Sequence, residues 1–95
     1  MNMDDLNAGV AVITGGGSGL GRELALQCAA AGMRLALADV DDTGLQQTLS
    51  MLPEGTEAMT RRVDVSKPEA VEALAADTYQ RYGAVHLLFN NAGVA

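Results

Sequence analysis

Cysteine, aromatic residues and positive charge are all scarce in this sequence of 95 residues. The one cysteine cannot form an internal disulfide, so we expect a reducing compartment and assign the protein to the cytoplasm. Six Lys and Arg residues stand against twelve Asp and Glu residues, which gives a formal net charge of −6. An acidic surface repels phosphate backbones and anionic lipids, so we expect no nucleic-acid partner and no membrane partner.

Long apolar runs are also lacking. No apolar stretch approaches the length that crosses a bilayer, and the acidic start MNMDDLN lacks the apolar region of a signal peptide. The sequence also holds no cluster of His, Cys and carboxylates at metal-ligand spacing, so we expect no metal site. Hydrophobic residues make up 48% of the chain, which is ordinary for a globular protein and argues against disorder.

What the chain does contain is an alternation of four short apolar runs with three helical patterns. The runs predict strands at residues 10–14, 35–38, 58–64 and 85–89. The order β-α-β-α-β-α-β predicts the α/β class, with an open parallel sheet of the Rossmann type and helices on both faces. The doubly wound rule gives the strand order 3-2-1-4. Arg61 and Arg62 indicate that the third strand lies at an edge.

Local signals set the helix boundaries. The expected caps are Gly32 after the first helix, Asp41 or Asp42 before the second, Ser66 with Glu69 as a capping box before the third, and Gly83 after it.

A glycine-rich loop, TGGGSGLG at residues 14–21, follows the first strand and opens the first helix. Glycines let the backbone approach a ligand, and the free amides at a helix start attract a pyrophosphate. The alternative is a flexible turn, but so many glycines carry an entropic cost that a simple turn does not require. The nucleotide-binding reading is therefore favoured.

The spacing within this loop excludes two common nucleotide motifs. The dinucleotide motif G-x-G-x-x-G is not present. Gly16 and Gly21 have the spacing of the P-loop, but that motif continues with a lysine and a hydroxyl residue, and this sequence has Arg22 and Glu23 there. What remains is T-G-x-x-x-G-x-G.

Asp39 ends the second strand at the same edge of the sheet. A carboxylate there can accept hydrogen bonds from the adenosine ribose hydroxyls and would repel a 2′-phosphate. Ser18 and Val40 are neutral, and Arg22 is expected to point along the first helix, so the pattern favours NAD over NADP. The alternative for Asp39 is a helix cap or a solvated turn residue.

Asp64 and Val65 come at the end of the third strand on this rim. The carboxylate could accept from an adenine amino group while the valine packs on the ring; alternatively, Asp64 only solvates the loop and Val65 only packs. Asn90 and Asn91 begin an Asn-Asn-Ala-Gly loop after the fourth strand, and we expect this loop beside the glycine loop because the strand order reverses there.

Together these motifs resemble the short-chain dehydrogenase/reductase family over essentially the whole chain. The resemblance implies an NAD(P)-dependent oxidoreductase that moves a hydride between nicotinamide and an alcohol or carbonyl substrate. It implies that Asn90 ties the fourth strand into the sheet. It assigns to cofactor binding Gly15, Ser18, Gly19, Leu20, Gly21, Asp39, Asp64, Val65 and Asn91.

The sequence departs from the family pattern in two places. His86 stands where members often carry an acid, and we expect it to be a packed or rim histidine. The family's reaction needs a serine, a Tyr-x-x-x-Lys pair and a helix asparagine, all beyond the fourth strand. Neither Tyr79 nor Tyr82 precedes a lysine by four positions, and both are predicted to pack on a helix face.

We therefore expect residues 1–95 to be the N-terminal cofactor-binding portion of one Rossmann domain, incomplete relative to the family fold. No catalytic residue is assigned, and residues 1–95 alone are predicted to be inactive. The complete protein is expected to form a homo-oligomer. Two other readings stay open: a free-standing nucleotide-binding module, and a fragment of an S-adenosylmethionine-dependent methyltransferase, although the latter usually has an acid in the first strand–loop motif.

Overall fold

The computed structural model describes residues 9–64 and 66–91, which form four strands and three helices. The strands are β1 Val10–Thr14, β2 Arg34–Asp39, β3 Ala58–Arg62 and β4 Leu87–Asn90. The helices are α1 Gly19–Ala30, α2 Asp42–Met51 and α3 Pro68–Tyr82. The chain alternates strand and helix throughout, as predicted.

The sheet is parallel, with the order β3-β2-β1-β4. This confirms the predicted Rossmann-type arrangement and its 3-2-1-4 order. β1 is central, and all five of its residues are buried because both faces of the strand are covered. β3 lies at one edge with Arg61 and Arg62 exposed, which confirms the edge prediction. β4 is the outermost described strand on the other side, and its Leu88 is half exposed.

Two apolar clusters lie on opposite faces of the sheet. On one face, alternate residues of β1 and β2 pack against α1 and α2, with Ile13, Leu37 and Leu45 fully buried. On the other face, the intervening residues pack against α3 through Leu74. Burial of these side chains is the main stabilising contribution, about 1.5–3 kcal/mol for each large aliphatic residue.

Most of the predicted helix boundaries are confirmed. Asp41 caps α2, where its side chain accepts a hydrogen bond from the Gly44 N–H at 3.0 Å. Gly32 and Gly83 follow α1 and α3 with φ of 85° and 79°, the left-handed conformation that favours glycine.

The predicted capping box before α3 is wrong. The N-cap is Lys67, which makes no side-chain cap. α3 begins at Pro68, one residue later than the capping box requires, so Ser66 lies outside the cap position. Its hydroxyl donates to the Asp64 carboxylate at 2.6 Å.

Three predicted strands also have different bounds, and β2 is one residue longer at each end than predicted. β3 ends at Arg62, before Asp64, and β4 begins at Leu87 rather than at residue 85. Tyr82 packs on the α3-side cluster as expected, but the packing prediction for Tyr79 is wrong, since 62% of that residue is exposed. Among the described residues no helix has the length and apolar character to cross a membrane.

Candidate functional site

The glycine loop and the residue after β4 meet at one edge of the sheet. β1 pairs with β4 in a register that places Thr14 beside Asn90. The glycine loop therefore starts next to Asn91, at the point where the strand order reverses. In open α/β sheets this crevice is where ligands bind.

The Thr14 side chain joins the two segments. Its Oγ1 accepts a hydrogen bond from the Asn91 N–H at 2.8 Å and lies 3.0 Å from Asn90 Oδ1. Thr14 is fully buried, so its hydroxyl is fixed by these partners. The contact confirms that Asn90 ties the fourth strand into the sheet, and it places the backbone of Asn91 against the start of the glycine loop.

Three glycines give the loop its path. Gly15 and Gly19 have φ of 69° and 56°, in the left-handed region that side chains disfavour. At Gly21, a Cβ would stand 2.0 Å from the Gly15 carbonyl oxygen, and 3.0 Å from Asn91 Nδ2. Only a residue without a side chain lets the first turn of α1 pack this closely against the loop.

The N-terminus of α1 faces this rim without a side-chain cap. Ser18 is the N-cap residue, but its side chain makes no capping hydrogen bond, and the first turn carries no acidic residue. The first amides of the helix thus keep their partial positive charge for an external anion. Leu20, in the same turn, is 62% exposed and offers an apolar surface beside that charge.

The Asp39 carboxylate lies on the same rim and accepts hydrogen bonds from two backbone amides. Oδ2 accepts from Gly17 N–H at 3.0 Å, and Oδ1 accepts from Asp41 N–H at 3.1 Å. A Cβ at Gly17 would lie 2.9 Å from Asp39 Oδ2, so the contact depends on glycine. An ionised carboxylate has about four acceptor positions, which leaves capacity for ligand hydroxyls.

A recess of about 280 Å³ opens between the ends of β2 and β3. It is lined by Val40, Arg62, Val63 and Asp64. Asp64 is exposed and accepts from both the backbone N–H and the hydroxyl of Ser66. The Ser66 hydroxyl bond, and then the Ser66 backbone bond, lower the pKa of Asp64, so this side of the recess is ionised at neutral pH. The predicted adenine contact of Val65 lies outside the described residues.

Arg62 is a rim residue that the sequence interpretation missed. It pairs in register with Asp39, and its Nε donates to the Val40 carbonyl at 3.2 Å. Residues in register on neighbouring strands share a face of the sheet, so the guanidinium and the Asp39 carboxylate project from the same side. The predicted second and third strands begin at residues 35 and 58, and pairing those two starts in a parallel sheet places Arg62 beside Asp39.

Arg22 corrects a second expectation. Instead of pointing along α1, it reaches across to α2, where its Nε donates to Thr48 Oγ1 at 2.9 Å. Its Nη2 contacts the carbonyls of Gly17 and Gly44. No periodicity signals such a contact, because it depends on how closely α1 and α2 pack.

The candidate site therefore combines an uncapped helix start, the Asp39 carboxylate and a recess lined by two valines, an arginine and an aspartate. Among residues 9–64 and 66–91 there is no group of His, Cys, Asp and Glu that could hold a metal ion. The chain belongs to the short chain dehydrogenase family, whose sequence profile matches residues 9–95.

Individual proteins of this family are similar to the chain over most of its length. SadH of Mycobacterium tuberculosis, whose name describes it as an oxidoreductase, is 44% identical over 94 residues, or 98% of this chain and 34% of that protein. Levodione reductase of Leifsonia aquatica is 43% identical over 88 residues, covering 90% of this chain and 33% of that protein.

A solved structure shows the same backbone. The short chain dehydrogenase/reductase of Burkholderia phymatum in complex with NAD superposes with a TM-score of 0.83 at 52% identity. The match covers 90% of this chain and 31% of that one. The chain thus spans about a third of the length of the relatives it matches.

Proposed function

We propose that this chain binds the adenosine diphosphate part of NAD, as the cofactor-binding portion of a short-chain dehydrogenase. The observation that carries the proposal is the Asp39 carboxylate, hydrogen-bonded to Gly17 beside the uncapped start of α1. A pyrophosphate fits the amides and the positive end of the helix. The adenosine ribose hydroxyls can donate to the acceptor positions of the Asp39 carboxylate that are not used by backbone amides.

The remaining candidate residues complete a path for the dinucleotide. The adenine would enter the recess beside Asp64, whose ionised carboxylate can accept from the exocyclic amino group. Gly15, Gly19 and Gly21 would allow close approach of the backbone, while Ser18 and Leu20 would line the diphosphate. Asn91, next to Gly21, would border the ribose on the nicotinamide side.

NAD rather than NADP is the proposed cofactor. A 2′-phosphate beside Asp39 would bring two negatively charged groups into one corner of the site, at a cost that screening by solvent reduces but does not remove. The similar Burkholderia phymatum protein is described with NAD, which supports the same choice.

In the complete protein, NAD would supply hydride transfer between its nicotinamide and an alcohol or carbonyl substrate. The residues of this chain would bind and orient the cofactor, and they would leave proton transfer to groups elsewhere. The only lysine is Lys67, and no tyrosine precedes it by four positions. We therefore expect residues 1–95 alone to give no NADH turnover; robust turnover by the purified 95-residue chain would contradict this assignment.

The test of cofactor class is a competition by calorimetry, performed on the complete product of the reading frame that contains this sequence. We expect NAD to bind at least tenfold more tightly than NADP, ATP or S-adenosylmethionine. Tighter binding of NADP would remove the role given to Asp39. Binding of S-adenosylmethionine instead of either dinucleotide would favour a methyltransferase.

A further inference from the structure

A buried hydroxyl on α2 contacts the glycine loop from behind. Thr48 is fully buried, and its Oγ1 donates to the Gly16 carbonyl at 2.7 Å. The same oxygen accepts from Arg22 Nε at 2.9 Å. A hydroxyl has one proton, so Thr48 uses it on the loop and accepts the charged donor with a lone pair.

The guanidinium of Arg22 extends this contact to the next peptide. Its Nη2 is within hydrogen-bond distance of the Gly17 carbonyl, and it lies 3.2 Å from the Gly44 carbonyl and 3.3 Å from Gln47 Oε1. Donors on a charged, half-buried guanidinium form stronger hydrogen bonds than neutral donors do. Arg22 therefore links the loop to α2 while itself belonging to α1.

α2 packs against the loop at Gly44 with no room for a side chain. A Cβ at Gly44 would stand 2.5 Å from the Gly17 carbonyl oxygen and 2.8 Å from Asp41 Oδ2. Gly44 and Thr48 are one helical turn apart, so they present one face of α2 to the loop. We call Gly44, Thr48 and Arg22 the loop support.

The loop support fixes the direction of two successive peptide groups. A trans peptide is planar, with its C=O and N–H pointing in opposite directions. The Gly16 carbonyl points to Thr48, and the N–H of the same peptide, on Gly17, donates to Asp39. In the following peptide the Gly17 carbonyl points to Arg22, which turns the Ser18 N–H away from α2.

We propose that Arg22 and Thr48 are positioning residues for the cofactor's diphosphate. They hold the loop carbonyls on the α2 side, so that the amides at the start of α1 face the anion before it arrives. Preorganisation of this kind removes the cost of turning peptide groups during binding. The proposal rests on the dinucleotide function proposed above and adds to it the source of the loop's orientation.

The test compares two ligands on the complete gene product by calorimetry: ADP-ribose, which contains the diphosphate, and adenosine, which does not. The variants are Thr48→Val, which keeps the shape and removes the hydroxyl, and Arg22→Met, which keeps an apolar stem without donors. Thr48→Ser and Arg22→Lys are the matched controls, because each retains a donor. Denaturant unfolding establishes which variants are folded.

We expect Thr48→Val and Arg22→Met to weaken ADP-ribose at least tenfold, with adenosine changed less than threefold. Thr48→Ser should restore binding to within threefold of the parent, and Arg22→Lys should fall between. If Thr48→Val does not fold, the comparison of Arg22→Met with Arg22→Lys decides.

Equal losses for both ligands, or no loss in folded variants, would overturn the positioning role while leaving the proposed function intact. Failure of the parent protein to bind ADP-ribose would overturn the proposed function itself, and this inference with it.

Discussion

His86 Nδ1 accepts a hydrogen bond from the backbone N–H of Val10 at 3.0 Å, and the Val10 carbonyl accepts from the backbone N–H of His86 at 2.9 Å. Val10 is fully buried at the start of the central strand β1. β4 begins only at Leu87, so the imidazole of His86, rather than the strand, accepts the hydrogen bond from the Val10 N–H. This confirms a rim histidine and explains why an acid at this position could serve equally, since a carboxylate accepts the same bond.

Replacing His86 tests this contact. His86→Ala leaves the Val10 N–H buried without its acceptor, and we expect the free energy of unfolding to fall by about 1–3 kcal/mol. His86→Asn is the matched control, because its Oδ1 can occupy nearly the position of Nδ1 and should restore most of the loss. Urea denaturation followed by circular dichroism measures both; equal stability of the alanine variant and the parent would show that the bond contributes nothing.

Gly21→Ala should abolish dinucleotide binding, because the new methyl group would meet the Gly15 carbonyl at 2.0 Å. The loop would have to move away from α1, and overpacking of this kind costs about 1–3 kcal/mol or more. Gly19→Ala is the comparison: no protein atom lies within 4 Å of its Cβ, so the folded loop opposes the change only through the φ of 56°, and any clash is with the bound dinucleotide. Calorimetry with NAD should give no detectable binding for Gly21→Ala and a smaller loss for Gly19→Ala. The reverse order would contradict the close-packing explanation.

The order of the elements and most of the site could be predicted from the sequence because their signals are local. Five buried residues in β1, the Asp41 cap and the Gly83 stop are each encoded within a few positions. The glycine loop and Asp39 follow strands whose order obeys a general rule, so their meeting on one rim could be predicted too.

What the sequence did not reveal depends on distances between elements. Arg22 contacts Thr48 only because α1 and α2 pack side by side, and His86 reaches Val10 only through the register of β4 on β1. Ser66 lies outside the cap of α3 because the helix begins one residue later than the capping-box spacing indicates, and spacing alone does not set that start.

The hydrogen bonds from Ser66 should be visible in the titration of Asp64. Because the hydroxyl bond is the largest cause of the lowered pKa, Ser66→Ala should raise the pKa of Asp64, whereas Ser66→Thr should keep it low. A carboxyl whose pKa is lower in the folded state stabilises the fold above its unfolded pKa and loses that contribution as pH falls through the folded value. The parent should therefore lose its advantage over Ser66→Ala in acid. Carboxyl carbon shifts followed by NMR measure the pKa; an unchanged value in Ser66→Ala would contradict the assigned cause.

Asp39→Ser should narrow the preference for NAD over NADP at least tenfold, since a charge-assisted hydrogen bond to a ribose hydroxyl contributes roughly 1.5–3 kcal/mol. The same change removes the charge that repels a 2′-phosphate. Asp39→Glu keeps the charge and should keep NADP weak, even if its longer side chain disturbs the Gly17 contact. Calorimetric Kd values for both dinucleotides test this, and an unaltered ratio in Asp39→Ser would exclude a ribose role for the carboxylate.

In the variant Asp39→Ser the negative charge is gone, and Arg62 becomes the charged residue that a 2′-phosphate would meet. The reason is that residues 39 and 62 are in register on adjacent strands. We therefore expect the gain in NADP affinity of Asp39→Ser to depend on Arg62, with at least half of its free energy lost in the double variant Asp39→Ser/Arg62→Gln. Arg62→Gln alone should change NAD binding less than it changes the NADP affinity of Asp39→Ser, because glutamine keeps a side chain in the wall of the recess and NAD has no 2′-phosphate for the guanidinium to meet. Raising the salt concentration should reduce the NADP gain of Asp39→Ser and leave the double variant nearly unchanged, since exposed ion pairs are screened. Equal NADP affinity in the single and double variants would show that the guanidinium does not reach the phosphate, and that relief of repulsion at Asp39 alone sets the preference.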